Sequence, residues 1–218
     1  MTINKEEVRL PIEDWEAYYK ETATEELPWY SKEADPEVIG AVKSFCPPPP
    51  DVRLLDLGAG PGTMALEFAR MGYDVTACDI STTALKTAEL RARNSGVAQN
   101  MAFMECDIRA GLEGKFDIIN DRGCFHVMRG DDKKRYLDNL SAVLAPSGVL
   151  LLKTFSIDEP GEEGPVRYSV EDIREFFIDF FDMIFSCDTI FQSTMEVDPK
   201  AILSVLKRRQ TVLKRSTE

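Results

Sequence analysis

The chain predicts an α/β fold: a doubly wound, mostly parallel sheet of about seven strands, helices on both faces, and a helical extension in front. Three observations carry that expectation. From Asp51 onward, short apolar runs alternate with helix-length segments, as successive βα units do. The runs are strand-sized and bounded by Gly, Pro and Asp, which separates them from buried helices. The first run ends in a glycine-rich turn, and acids recur at the ends of the runs that follow.

Residues 1–50 read as helices and loops. Ile12, Trp15 and Tyr19 lie at helical spacing on one face. The stretch 25–30 breaks that pattern. Asp35-Pro36 then offers an N-cap with proline at the first helical position, opening a helix over 37–45. Pro47 to Pro50 form a stiff spacer that closes the extension, a candidate lid, and hands over to a main domain at 51–218, the whole forming one structural domain. Strands are expected at 52–57, 73–79, 101–106, 116–120 and 149–155. Helices are expected at 62–71, 82–95 (ended by Gly96), 133–144 (closed by Ala145-Pro146-Ser147-Gly148) and 170–177. Residues 181–191 and 201–208 supply the last two strands.

Bulk properties narrow the function. The 218 residues carry 26 Lys+Arg against 38 Asp+Glu, a formal charge of −12, which opposes a nucleic-acid partner. The one dense basic run, Lys207-Arg208-Arg209 with Lys214 and Arg215, has no interleaved aromatics and reads as a solvated end. The five cysteines form no CxxC pair, so no metal site is expected; they read as free thiols in a reducing cytoplasm. The first ten residues lack the apolar core of a secretory signal, and no run approaches a membrane span. A cytoplasmic monomer or weak homodimer acting on a small molecule is the expectation.

The strand ends carry the chemistry. Strand one closes on Asp56, followed by Gly58-Ala59-Gly60-Pro61-Gly62. The spacing is GxGxG; a dinucleotide fingerprint would be GxGxxG, with Thr63 at its third position here. Asp56 would repel a pyrophosphate but suits an ammonium group. Strand two ends at Asp79-Ile80, where a carboxylate can accept from both hydroxyls of a ribose. Strand three runs into Asp107-Ile108, an acceptor for an adenine amino group beside an apolar packing surface. Each acid alone could be a helix N-cap; three in succession with the glycines between are a joint signal.

On these residues the chain resembles class I methyltransferases that use S-adenosylmethionine, over roughly residues 51–155. The resemblance implies a Rossmann-like sheet, S-adenosylmethionine as cofactor and S-adenosylhomocysteine as product. A narrower likeness covers about residues 12–195: Trp15 with Tyr19, Pro28-Trp29, Asp121-Arg122-Gly123 after strand four, Gly130-Asp131, and Gly164-Pro165 before Tyr168. It is similar to the thiopurine, thiol and metalloid methyltransferases, with Tyr19 where that group commonly has Trp and one proline fewer after Gly164. The likeness implies that Trp15, Tyr19 and Trp29 close over the cofactor; the alternative is ordinary core aromatics. Asn120 and Asp121 would line its methionine end. Arg122 would face the acceptor, or else pair with Asp121 or Asp131.

His126, the one histidine, is either a base near the acceptor or a packed side chain. A thiol acceptor ionises readily and needs no base. Small-molecule N- or O-methylation, a non-catalytic S-adenosylmethionine module, and a nicotinamide oxidoreductase are the competing functions. Asp56 and the glycine spacing oppose the last. The acidic charge opposes RNA methylation, and strand four lacks the Asn/Asp-Pro-Pro-Tyr/Phe signature of enzymes that methylate exocyclic amines.

Overall fold

The computed structural model describes residues 14–46, 51–161 and 164–209. Ile12, the 47–50 proline spacer and the basic residues Lys214 and Arg215 lie outside them.

Among the described residues, six α-helices and eight strands follow one another: α1 Trp15–Glu21, α2 Pro36–Phe45, β1 Arg53–Leu57, α3 Thr63–Arg70, β2 Asp74–Asp79, α4 Thr82–Asn94, β3 Met101–Glu105, β4 Phe116–Arg122, α5 Asp131–Val143, β5 Leu144–Ser156, β6 Arg167–Tyr168, α6 Val170–Phe177, β7 Phe181–Ile190 and β8 Lys200–Arg208. The sheet order is β3-β2-β1-β4-β5-β8-β7, with the two-residue β6 attached to β5. The pairs from β3 to β5 are parallel; β8 runs antiparallel to both β5 and β7. This is a doubly wound, mostly parallel sheet.

The local causes match the sequence where caps are explicit. Asp35 accepts from the Val38 amide and Pro36 occupies the first turn of α2. Ser81 caps α4 through the Ala84 amide. Ser169 and Asp172 form a reciprocal capping box at α6. Leu54, Leu55, Ile119, Leu150, Leu151 and Leu152 on the central strands are all completely buried. Helices cover them from both sides: Phe68 and Val42 belong to one apolar cluster, Leu140 and Phe177 to the other.

Two expectations change. The turn at 145–148 does not precede β5 but bulges within it. β4 pairing jumps from Phe116↔Leu144 to Ile118↔Val149, so the extra residues loop out at Ser147, whose φ is +64°. The cysteines are not all free: Cys78 and Cys106 are bonded, their Cα atoms 5.9 Å apart, while Cys46, Cys124 and Cys187 remain thiols. A separation of 28 residues hid the pairing, because one βα crossover brings the ends of β2 and β3 side by side.

Candidate active site

β1 sits between β2 and β4, where the strand order reverses. The chain leaves β1 toward one edge of the sheet and returns on its other side, so the carboxyl ends of these strands border a crevice.

The parallel register places Asp56 opposite Asn120, on one face of the sheet. The Asn120 amide donates to Asp56 Oδ1 at 2.7 Å. Both side chains are buried, yet Asp56 Oδ2 and Asn120 Oδ1 have no hydrogen-bond partner among the described residues. Burial raises the Asp56 carboxyl to about 7. Two unsatisfied acceptors side by side are costly unless a donor reaches them, and an ammonium has three donors and no acceptor.

The loop that follows is glycine for steric reasons at two points. At Gly62, φ is +82° and a Cβ would stand 2.7 Å from the Ala88 Cβ on α4. At Gly60, φ is +52° and a Cβ would stand 2.9 Å from the Tyr19 hydroxyl. Ala59 donates to the Cys78 carbonyl, which ties the loop to β2, while Gly58 is exposed. Asp79 accepts from the Gly60 amide at 2.7 Å and the Ser81 amide at 2.9 Å. It is buried, and burial pushes its carboxyl above the ordinary range. A carboxylate has about four acceptor sites, so acceptor capacity remains for a ligand. Ile80 beside it is 40% exposed, an apolar surface at the mouth of the crevice.

Other residues named from the sequence have protein partners. Asp107 is gripped by Arg109, whose Nε and Nη2 both reach its carboxylate at 2.8 Å, which holds it below the usual range. Ile108 is 3% exposed and packs into the core rather than toward the crevice. Asp121 turns inward, accepting from the amides of Cys124 and Phe125 and from the Tyr136 hydroxyl. Burial raises it to about 6, and its work is to hold the turn after β4.

Arg122 pairs with neither Asp121 nor Asp131. Its Nε meets Asp35 Oδ2 at 3.0 Å, Nη2 meets the Gln192 carbonyl at 2.9 Å, and the guanidinium stands 5.0 Å from the Phe191 ring centre. The wholly buried Lys153 meets the same Asp35 oxygen at 2.5 Å. Burial opposes the Asp35 charge, but Lys153 and Arg122 together pull its carboxyl below the ordinary value. Sequence reading missed both Asp35, taken only as a cap, and Lys153, hidden in an apolar strand.

His126 is packed. Its Nδ1 accepts from the Phe155 amide at 3.2 Å, and its ring lies edge-on to Phe155 and Phe191. Burial, with Arg122 nearby, pushes its pKa down to about 3. The lone pair that would take a proton is already committed to the backbone, which rules against the proposed base.

The aromatic residues gather over the glycine loop. Trp29 stands 5.5 Å from Trp15, 5.4 Å from Tyr18 and 6.1 Å from Tyr19 between ring centres. Beneath them is a cavity of about 70 Å³ bordered by Tyr19, Trp29, Asp35, Asp56, Gly58 and Arg122. Glu16, which sequence reading passed over, carries the contact that fixes α1. Its carboxylate accepts from the Ser81 hydroxyl at 2.6 Å, the Thr83 amide at 3.0 Å, and the Thr83 and Thr82 hydroxyls at 2.8 and 3.1 Å. The Ser81 and Thr83 bonds hold its carboxyl well below the usual range. The available signal was the hydroxyl run Ser81-Thr82-Thr83 at a helix start, where amides and dipole favour an anion.

Among the described residues, no helix is long and apolar enough to cross a membrane, and no cluster of metal-ligating side chains occurs. A family model described as a methyltransferase domain matches residues 54–148. An uncharacterized methyltransferase of Schizosaccharomyces pombe is 30% identical over 123 residues, spanning 54% of this chain and 83% of that protein. The tRNA 5-carboxymethoxyuridine methyltransferase of Escherichia coli is 34% identical over 113 residues, 50% of this chain and 42% of the enzyme. The chain thus spans less than half the length of that relative. The crystal structure of a SAM-dependent methyltransferase from Anabaena variabilis superposes with a TM-score of 0.71 at 21% identity, covering 89% of this chain and 93% of that one.

Proposed function

This chain belongs to the methyltransferase domain family, and we propose that it transfers a methyl group from S-adenosylmethionine to a small thiol, thiopurine or metalloid anion. The observation that carries the cofactor is the pair of buried, unpartnered acceptors on Asp56 and Asn120 beside the glycine loop. They suit the ammonium of the methionine moiety, and a pyrophosphate in that place would be repelled. Asp79 has acceptor sites left for ribose hydroxyls, and exposed Ile80 offers a face for a ring. Toward the adenine end, Arg109 already holds Asp107, so the pair together, rather than a free carboxylate, meets the ligand.

The bound sulfonium supplies an activated methyl: the acceptor's lone pair bonds to the methyl carbon as the carbon–sulfur bond breaks and S-adenosylhomocysteine leaves. The chain's own contribution is placement and exclusion of water. Asp56 and Asn120 hold one end, Asp79 the middle, and the α1 aromatics cover the site. With His126 packed, the chain offers no histidine base. An acceptor that ionises by itself near neutrality therefore fits best, which is thiol chemistry rather than alcohol chemistry. Arg122 borders the cavity and supplies positive charge for such an anion. Residues 14–46 serve as the cover and 51–209 as the catalytic body within one domain. The formal charge of −12 argues against RNA as the acceptor.

A radiolabelled methyl-transfer screen tests both halves. Small thiols, thiopurines, selenite and tellurite should be labelled. Labelling confined to amines, phenols or tRNA would overturn the acceptor class, and absence of S-adenosylmethionine binding would overturn the cofactor.

A further inference from the structure

Each of the two bonded cysteines stands one residue before an acid at the crevice: Cys78 before Asp79, and Cys106 before Asp107. On β2, Cys78 is wholly buried in one of the two apolar clusters. Its carbonyl accepts from the Ala59 amide, and Asp79 after it holds the Gly60 and Ser81 amides. Cys106 lies in the turn past β3 and is half-buried. The Cα separation of 5.9 Å is an ordinary spacing for a disulfide. The bond therefore ties the glycine loop and Asp79 on one side to Asp107 and Arg109 on the other.

Breaking that bond leaves the sheet intact. The Cys106 amide still donates to the Asp79 carbonyl at 2.9 Å, and the register from Val75↔Met101 to Asp79↔Glu105 stays paired. Two sulfurs without a bond do not stay at bonding distance, however. The close-packed surroundings of Cys78 leave its side chain little room. The displacement falls on Cys106 and on the turn that carries Asp107 and Arg109.

We propose that Cys78 and Cys106 are a redox-active pair that sets the affinity of the glycine-loop site. With the bond made, the two acids keep one spacing; with it reduced, the adenine end loses its register with the ribose end. The inference rests on that loop being the cofactor site. The step is thiol–disulfide exchange. A thiolate of a small dithiol attacks Cys106 Sγ, on the more exposed of the two residues. Cys78 Sγ leaves with the bonding pair and takes a proton. The second thiolate of the dithiol attacks the mixed disulfide, and Cys106 Sγ leaves and is protonated. The protein gains two electrons and two protons, and the dithiol becomes a disulfide. A small disulfide runs the same steps backward.

Wild type purified without reductant and then denatured should titrate three thiols, those of Cys46, Cys124 and Cys187, and five after dithiothreitol. Calorimetric titration with S-adenosylhomocysteine should give a Kd about tenfold higher for the reduced form, because preorganisation is lost. Cys106→Ser should bind like the reduced form with or without dithiothreitol. Should its circular dichroism spectrum change, the two states of the wild type decide alone. Linkage adds a readout that a merely structural disulfide would not move. Saturating S-adenosylhomocysteine should make the bond harder to reduce by the same factor, shifting its midpoint about 30 mV more negative in a series of oxidised and reduced dithiothreitol. Three thiols that dithiothreitol leaves at three, five that no small disulfide lowers, or equal affinities with an unmoved midpoint would each overturn the pair's role. Failure of both forms to bind S-adenosylhomocysteine would instead bring down the cofactor reading, and this inference with it.

Discussion

Asp56→Asn should make the ligand-free protein more stable and the cofactor complex weaker. Burial lifts the Asp56 carboxyl from an ordinary 3.8 to about 7. A shift of about 3 units corresponds to about 4 kcal/mol against the ionised folded state at 1.36 kcal/mol per unit. Asp121 and Asp79 contribute to the repulsion, so replacing Asp56 alone relieves only part of it. If half of it is relieved, about 2 kcal/mol raises Tm by roughly 4–8 °C in a chain of this size. The sign follows from proton binding. A carboxyl held above its unfolded value keeps its proton better when folded, so the penalty is absent below about pH 4, grows from 4 to 7, and is complete above 7. The gain in Asp56→Asn should therefore be full at pH 8 and vanish near pH 4. Differential scanning calorimetry of both proteins across that range measures it. A variant that melts no higher than wild type at pH 8, or by the same margin at every pH, would refute the reasoning. At pH 8 the variant should also bind S-adenosylhomocysteine about tenfold more weakly or worse, having lost a charge-assisted partner for the ammonium.

The same carboxyl makes affinity pH-dependent: S-adenosylhomocysteine binding should weaken as pH falls below about 7, by at most about tenfold per unit, because Asp56 must lose its proton to accept the ammonium. Calorimetric titrations giving a flat affinity from pH 5 to 8 would contradict this. Asp79→Ala should lower affinity at least about tenfold, since two charge-assisted bonds to ribose hydroxyls go with it. It should also cost about 1–3 kcal/mol of stability, because the Gly60 and Ser81 amides lose their acceptor. Chemical denaturation of the variant without ligand separates the two effects.

The fold was legible because a parallel sheet writes itself in long apolar runs, and the residues that end them are adjacent in space by construction. Asp56 and Asp79 could be placed on neighbouring strands from the sequence on that ground alone. Side-chain direction could not. Asp121 follows Asn120 on β4 and turns to the opposite face, since alternation along a strand sends neighbours to opposite faces, while Ile108 lies in the turn past β3 and packs into the core. Asp107 was legible as an acid and illegible as a partner of Arg109, two residues on. The Asp35–Arg122–Lys153 cluster joins residues 87 and 118 positions apart, which no local pattern encodes. Glu16 escaped notice because helical spacing drew attention to Trp15 and Tyr19, its apolar neighbours on the same turn.

The most direct measurement is a calorimetric titration of the wild-type chain with S-adenosylhomocysteine and, in parallel, with NAD. A class I methyltransferase site at Asp56 to Gly62 predicts saturable one-to-one binding of S-adenosylhomocysteine and none of NAD. Tight NAD binding with no heat from S-adenosylhomocysteine would contradict it.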